Sequence, residues 1–334
     1  MSHQQTEPLA IAELKVAVVM VNLGTPEKAT PSAVRQFLRR FLSDQRVVSI
    51  PKIVWQPLLN LVILPLRAKR VAKLYGQIWM DKGSPLKVIS EQLRDKVASK
   101  VTPQCEVYLA MNYSQPDLEH VLDRVLKEGH QRVLLLPMYP QFSSTTTAAV
   151  YDGYQKALAK QFYLPELRTI NDYYHEPLYI TALCNSIEQH WQLHGRSEKL
   201  VFSFHGIPER VAHKGDPYPQ HCEATAHQVA KQLGLGIDQW CMSYQSRFGK
   251  EKWLQPYCDA LLTELAEKGI ESVDVISPAF ATECLETIEE VADELREVFL
   301  EAGGKQYSYI PALNDNQDHV ELYAHLIRKH SQDW

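Results

Sequence analysis

Short apolar runs rich in Val, Ile, Leu and Tyr recur along the chain between longer amphipathic stretches, the pattern of parallel strands alternating with crossover helices. Eight runs are legible. Val16 to Leu23, Val107 to Met111, Val133 to Pro137 and Leu167 to Asn171 fall in the first half; Leu200 to Phe204, Gln239 to Ser243, Val273 to Ser277 and Tyr307 to Ile310 fall in the second. The segments between them are long enough for helices. In SPLKVISEQLRDKVASKV, Leu86, Ile89, Leu93 and Val97 recur at three- and four-residue spacing. That spacing predicts a helix with one buried stripe, with Ser84 as its cap and Pro85 in its first turn.

The two halves resemble each other. The first run leads into VVMVNLGTPEK and the fifth into LVFSFHGIPER, aligning Leu23 with His205, Gly24 with Gly206, Pro26 with Pro208 and Glu27 with Glu209. LLLPMYPQFSSTTT and VISPAFATECLET likewise share a proline at the strand end, an aromatic two residues later and a Ser/Thr-bearing turn. An internal duplication predicts an α/β fold of two similar doubly wound domains, residues 1–170 and 171–334, each a four-stranded parallel sheet flanked by helices. Their strand C-termini should face a shared cleft. No G-x-G-x-x-G fingerprint and no Walker A loop follows any run, which counts against nicotinamide and nucleotide-triphosphate chemistry.

Composition narrows the class further. A chain of 334 residues with 45% hydrophobic and 22% charged positions is an ordinary folded protein, not a disordered, collagen-like or coiled-coil one. A net charge of -5 offers no overall basic field, so nucleic acid is not an expected partner. The six cysteines contain no C-x-x-C pair, which argues against zinc knuckles and a disulfide framework and for a reducing compartment. The start, MSHQQTEPLAIAELK, has neither an apolar signal core nor Arg-rich transit character, so a cytoplasmic location is expected. The most apolar stretch, IVWQPLLNLVILPL at 53–66, is broken by Gln56, Pro57, Asn60 and Pro65 and falls short of the ~20 residues of a membrane span.

Three features could carry chemistry. His205 ends an apolar strand just before Gly206 and Pro208, where an open α/β sheet places its ligand crevice; a histidine that merely caps a strand fits the same residues. ECLETIEEVADELREVFLEAG predicts a helix beginning near Thr282. In it Glu286, Glu290 and Glu294 stand four residues apart, Glu283, Asp293 and Glu297 lie near the same stripe, and Leu285, Ile288, Val291, Leu295 and Val298 form the buried side. Such a ladder is either a solvated acidic face or a line of oxygen ligands for a divalent cation or for protons, ending at Glu286 beside His205. The run 53–66, with Trp55, followed by Arg67, Lys69, Arg70 and Lys73, reads either as a buried helix with a basic C-terminal turn or as an exposed apolar lip edged with cations. A lip of that kind suits a flat, apolar, carboxylate-bearing ligand and would also rest on a membrane surface.

The motifs SFHGIPER, MSYQSRFG, LPMYPQFSSTTT, GSPL and ECLETIEE together resemble the ferrochelatase family, and the likeness runs from about Val16 to Lys329. SFHGIP combined with the later LET-containing acidic helix is the specific part; GSPL alone would be weak. The resemblance implies two Rossmann-like domains that hold a porphyrin between them and insert ferrous iron into it, releasing two protons. Iron and porphyrin are then substrates, with no tightly bound cofactor. By position it implies His205 and Glu286 as the catalytic pair on opposite faces of the macrocycle and as metal-handling groups, with Glu290 and Glu294 as an acidic relay. Arg67 and Arg70 become propionate-binding residues, Tyr75 and Ser84 substrate-binding positions of the family's tyrosine and GSP motifs, and Tyr113 and Tyr244 cleft residues. Leu23 falls at a metal-side position that is methionine or tyrosine in other members, and a leucine cannot ligate.

Two departures from the family pattern stand out. Glu283 and Cys284 occupy places where many members have Asp-His, leaving one imidazole fewer. No cysteine follows Cys284, so the iron-sulfur cluster of animal-type members is not expected. Rival readings are a coproporphyrin III ferrochelatase, a cobalt or nickel chelatase, and, in a different class, a non-catalytic tetrapyrrole or metal carrier.

Overall fold

The computed structural model describes residues 15–249 and 251–334; the segment 1–14, read above for targeting signals, lies outside the described residues. Each of the eight apolar runs forms a strand: β1 Val16–Asn22, β2 Cys105–Met111, β3 Arg132–Pro137, β4 Glu166–Thr169, β5 Lys199–His205, β6 Trp240–Gln245, β7 Ser272–Ile276 and β8 Gln306–Ile310. They build two four-stranded sheets, ordered β2-β1-β3-β4 and β6-β5-β7-β8, parallel throughout. The identical order is the structural counterpart of the sequence repeat.

Burial on both faces explains why the central strands read as unbroken apolar runs rather than alternating ones. Every residue of β1 is buried; Val16, Val18 and Met20 enter one core, while Ala17, Val19 and Val21 enter another. The aligned glycines that follow β1 and β5 are needed for different reasons. Gly24 has φ +107° and an added Cβ would lie 2.6 Å from Ser114 Oγ, whereas at Gly206 the backbone of Gln245 approaches to 3.0 Å.

The helix Pro85–Val101 has the predicted cap, with the Ser84 hydroxyl accepting from the Lys87 N–H at 3.4 Å, and it buries Leu86, Leu93 and Val97. The largest core runs through both halves. Met20, Leu93 and Val97 share it with Phe202, Phe204 and Cys222, and the last helix, Gln317–Ser331, contributes Leu322, Tyr323 and Ile327. That helix packs on both Pro85–Val101 and Pro177–His194, and the Tyr323 and Tyr173 hydroxyls meet at 2.9 Å.

Two expectations change in the details. The acidic helix begins at Leu285, not near Thr282, and is π-wound over Glu286–Glu294 before continuing as Leu295–Glu301. The Tyr307 hydroxyl donates to the Val291 carbonyl within that segment. Glu283, expected near the acidic stripe, is instead buried. Its carboxylate accepts from Thr287, from the Tyr309 hydroxyl and from the Ala312 N–H at 2.8 Å.

The arm at 52–78 is a helix, Lys52–Leu58, a π turn, Leu59–Ile63, and a second helix, Leu64–Ile78. Trp55, expected on the lip, turns inward and donates its indole N–H to the Leu42 carbonyl at 2.6 Å. Leu59 and Leu64 turn inward with it, while Ile53, Leu61 and Leu66 are 90%, 76% and 73% exposed. An ordinary buried helix does not describe it.

Candidate active site

The C-terminal ends of β1, β3, β5 and β7 and the loops after them line a cleft of about 1090 Å³ including its open mouth. Leu23 follows β1, His205 ends β5, and Phe280, Thr282 and Glu286 follow β7, so each half of the chain supplies wall. Asn22 ties the halves at this level; its amide donates to Ser90 Oγ at 3.1 Å and reaches Thr282 Oγ1 at 3.5 Å. Apolar and aromatic side chains dominate the lining, among them Phe41, Leu86, Ile207, Trp253 and Phe280. Among the described residues that line it there is no lysine or arginine.

His205 sits between Trp253 and Phe280, with ring centroids 6.5 and 6.3 Å away. Its Nδ1 lies 2.7 Å from the Gly206 carbonyl oxygen. A carbonyl only accepts, so Nδ1 carries a ring proton, and in the neutral ring the lone pair lies on Nε2. The strand end therefore presents a base in a fixed tautomer, next to an apolar surface.

Glu286 opens onto the same cleft from the π-helix. Glu290 and Glu294 lie beyond it, lining a separate polar pocket with Ser246, Arg247, Asp259, Glu297 and Glu301. The acidic ladder thus connects cleft to pocket. Burial raises the Glu290 carboxyl above its ordinary range, while the hydrogen bonds of Ser246 and the nearby His205 oppose that rise. Glu289 is pushed up to about 7, by burial and then by the charges of Glu294 and Glu290. Burial also raises Glu283, against its three hydrogen-bond donors.

Of the residues singled out from the sequence, His205, Glu286 and Leu23 come together in the cleft, and the others stand around it. Tyr113 is buried behind the wall; its ring packs on Phe41 at 5.1 Å and its hydroxyl donates to Asp44 Oδ2 at 2.8 Å. Ser84 caps the helix that carries Leu86 into the cleft. Tyr75 is buried beneath the start of the π-helix, packed with Leu285 and close enough for the Glu286 charge, after burial, to raise its phenol. Arg67 stacks over Phe248 at 4.6 Å, Arg70 lies 3.8 Å from Glu294, and neither cation lines the cleft. Tyr244 lines the polar pocket.

Ser246 escaped the sequence reading. It adopts φ +64°, unusual for a residue with a side chain, and from there both its N–H, at 2.7 Å, and its hydroxyl donate to the Glu290 carboxylate. MSYQS showed an aromatic-polar strand end, but no local signal marks which carboxylate it holds.

Two parallel sheets meeting at their strand ends around a base and a carboxylate define a chelatase-type α/β protein. Solved structures with this architecture include SirB from Bacillus subtilis with Fe3+ (TM-score 0.58, 10% identity, 96% of each chain) and the sirohydrochlorin chelatase SirB of Bacillus subtilis subspecies spizizenii in complex with cobalt (TM-score 0.57, 9% identity, 96% of each chain). At that identity the likeness concerns the fold alone. Among protein families, Ferrochelatase matches residues 15–331. A ferrochelatase of Vibrio atlanticus is 49% identical over 94% of this chain and 97% of its own length, and ferrochelatase 1 of Shewanella oneidensis is 47% identical over 95% and 96%. The chain belongs to the ferrochelatase family and is a metal chelatase.

Proposed function

We propose that this chain inserts ferrous iron into protoporphyrin IX, held in the cleft between the two sheets, to give protoheme and two protons. The carrying observation is that His205, at the end of β5, and Glu286, on the π-helix that follows β7, open onto one largely apolar cleft. Two pyrrole N–H protons must leave as the metal enters the ring. His205 Nε2 accepts protons at one face, and Glu286, Glu290 and Glu294 pass metal or protons between the other face and the polar pocket. Tyr113 and Ser84 act on the macrocycle through the wall residues Phe41 and Leu86, and Tyr75 through the start of the π-helix. Leu23 contributes apolar wall. Tyr244 stands with the polar-pocket groups.

Substrate choice follows from charge. An apolar cleft with its cations outside the lining suits a macrocycle with two carboxylate side chains and disfavours coproporphyrin, which has four that need desolvating or pairing. Arg67 and Arg70 would pair with the two propionates. The reading rests on a cleft shared by residues 1–170 and 171–334.

The test is anaerobic mixing of purified protein with ferrous iron and either porphyrin, followed by visible absorbance. Catalytic conversion of the free-base spectrum to that of heme is expected, faster with protoporphyrin; a bound but unconverted porphyrin would make the protein a carrier.

The lip at 53–66 extends the reading to location. No helix among the described residues is long and apolar enough to cross a membrane. The exposed Ile53, Leu61 and Leu66, with the basic residues after them, suit peripheral contact by a cytoplasmic protein with an anionic membrane surface, where an apolar porphyrin concentrates. Flotation with anionic vesicles should recover the protein, and Leu61→Glu should reduce that recovery without lowering thermal stability.

A further inference from the structure

At the cleft wall a short segment of the first half is stitched to a short segment of the second. Residues 141–144 follow β3 and supply Gln141 and Ser143 to the lining, with Thr145 and Thr146 just beyond. Gln141 donates from its amide to Thr225 Oγ1 at 3.0 Å. Ser143 Oγ and the Ser144 N–H donate to the buried Asp216 carboxylate at 3.1 and 2.7 Å. Between these, the Phe142 N–H donates to His221 Nδ1 at 3.2 Å. His221 and Thr225 share the helix Tyr218–Gln232, whose first residue also lines the cleft.

The His221 bond differs in kind from its neighbours. A backbone N–H only donates, so Nδ1 must present its lone pair and the ring proton lies on Nε2. The doubly protonated ring carries an N–H at both positions and cannot accept, so charging His221 breaks this bond. The ring is held in place by a second contact, lying flat on Tyr174 with centroids 3.8 Å apart and planes 17° from parallel. The titratable and charged groups that face it are Tyr174, Asp172 and His175 from the loop after β4, and Asp216 from the loop before its own helix. Burial lowers the ring below the ordinary histidine range; Asp172 opposes that shift, His175 adds to it and Asp216 opposes it.

We propose that His221 is a positioning residue for porphyrin binding: its neutral ring holds Phe142, and with it the wall segment 141–146, against the second half, and its protonation loosens that segment. The proposal rests on the porphyrin reading given above. His221 does not itself line the cleft, so it acts through the backbone of Phe142. The bond is intact at neutral pH and above and is given up as the pH falls through the lowered ring pKa. The bond between Gln141 and Thr225 joins groups that do not titrate, so the segment loosens at Phe142 without detaching. Porphyrin affinity therefore falls in acid, while the groups that carry the chemistry, His205 and Glu286, keep their places on the strand end and the π-helix.

Steady-state metallation of protoporphyrin by ferrous iron, at about pH 8 and about pH 5, compares the unsubstituted chain with His221→Asn and His221→Phe. Asn offers an amide oxygen near the place of Nδ1 and does not titrate; Phe keeps a ring for Tyr174 and has no acceptor. Comparing chains at one pH cancels the titration of the substrate and of His205. At the alkaline pH the porphyrin KM of His221→Asn should match that of the unsubstituted chain, and that of His221→Phe should be about three- to tenfold higher, the size of one lost hydrogen bond. At the acid pH the unsubstituted chain should join His221→Phe and leave His221→Asn lower, with kcat equal among the three at each pH. Deuterium uptake at the Phe142 amide, which needs no substrate, should follow the same order. Porphyrin left unbound by all three chains at the alkaline pH would sink the porphyrin reading, and amide exchange alone would then decide whether His221 holds Phe142. With porphyrin bound, a KM ratio between the unsubstituted chain and His221→Asn that is the same at both pH values would overturn the proposal, as would equal Phe142 exchange in those two chains in acid.

Discussion

Ser246 holds Glu290 with two donors from a single residue, and its backbone sits in the left-handed region to do so. Hydrogen bonds to a charged group contribute about 1.5–3 kcal/mol. Ser246→Ala removes the hydroxyl and leaves the N–H, so Glu290 should lose alignment without losing burial. The expected result is a KM for ferrous iron raised about tenfold at unchanged porphyrin KM, measured by steady-state metallation; equal iron KM values would mean that Glu290 does not handle metal. The contrast with His205 shows what a sequence discloses at this scale. His205 is legible because strand, histidine, glycine and proline are contiguous. The grip of Ser246 on Glu290 spans 44 residues, and only the fold brings the two together. The burial of Glu283 was hidden for the same reason, because Tyr309, Ala312 and Asn314 reach it from the end of β8 and the loop that follows.

Among the elements, the acidic π-helix carries an electrostatic load of its own making. Glu289 is raised to about 7 by partial burial and by the charges of Glu294 and Glu290, with Arg70 opposing. A carboxyl whose folded-state pKa exceeds its unfolded value binds more protons folded than unfolded between the two. Its contribution to stability is present below about pH 4.5 and is lost as pH rises through about 7. Glu289→Gln should therefore raise the melting temperature at pH 8 and leave it nearly unchanged at pH 4.5, which scanning calorimetry at the two pH values would show. A larger gain at the acid end would contradict the assignment. Strands and the Ser84-capped helix were legible because burial pattern and capping are local. The π winding was not, because no local pattern marks it, and the Tyr307 hydroxyl that binds the Val291 carbonyl within it lies 16 residues further on. The lip was legible as an alternative only: the prolines and the following cations marked it, but its exposure depends on what the arm packs against.

Across the whole molecule, one core passes through both sheets, and the last helix fastens them. Leu322 is fully buried in that core. Leu322→Ala should cost about 2–5 kcal/mol, and a single denaturation transition should persist because both halves share the damaged core. Two resolved transitions would mean that the halves fold independently. The duplication was readable from two aligned motif pairs, and the matching sheet orders follow from it. The return of the final helix onto Pro85–Val101 was not, since nothing in its amphipathic pattern names the partner.

The pairing of His205 with Glu286 about a single macrocycle is most directly tested by single-turnover metallation. Protoporphyrin is bound first to His205→Ala, binding is checked by fluorescence, and ferrous iron is then added without oxygen. The porphyrin should bind as it does to the unsubstituted chain, while heme formation slows by at least about 100-fold, the lower range for loss of a general base. Heme formation at the unsubstituted rate would contradict the account.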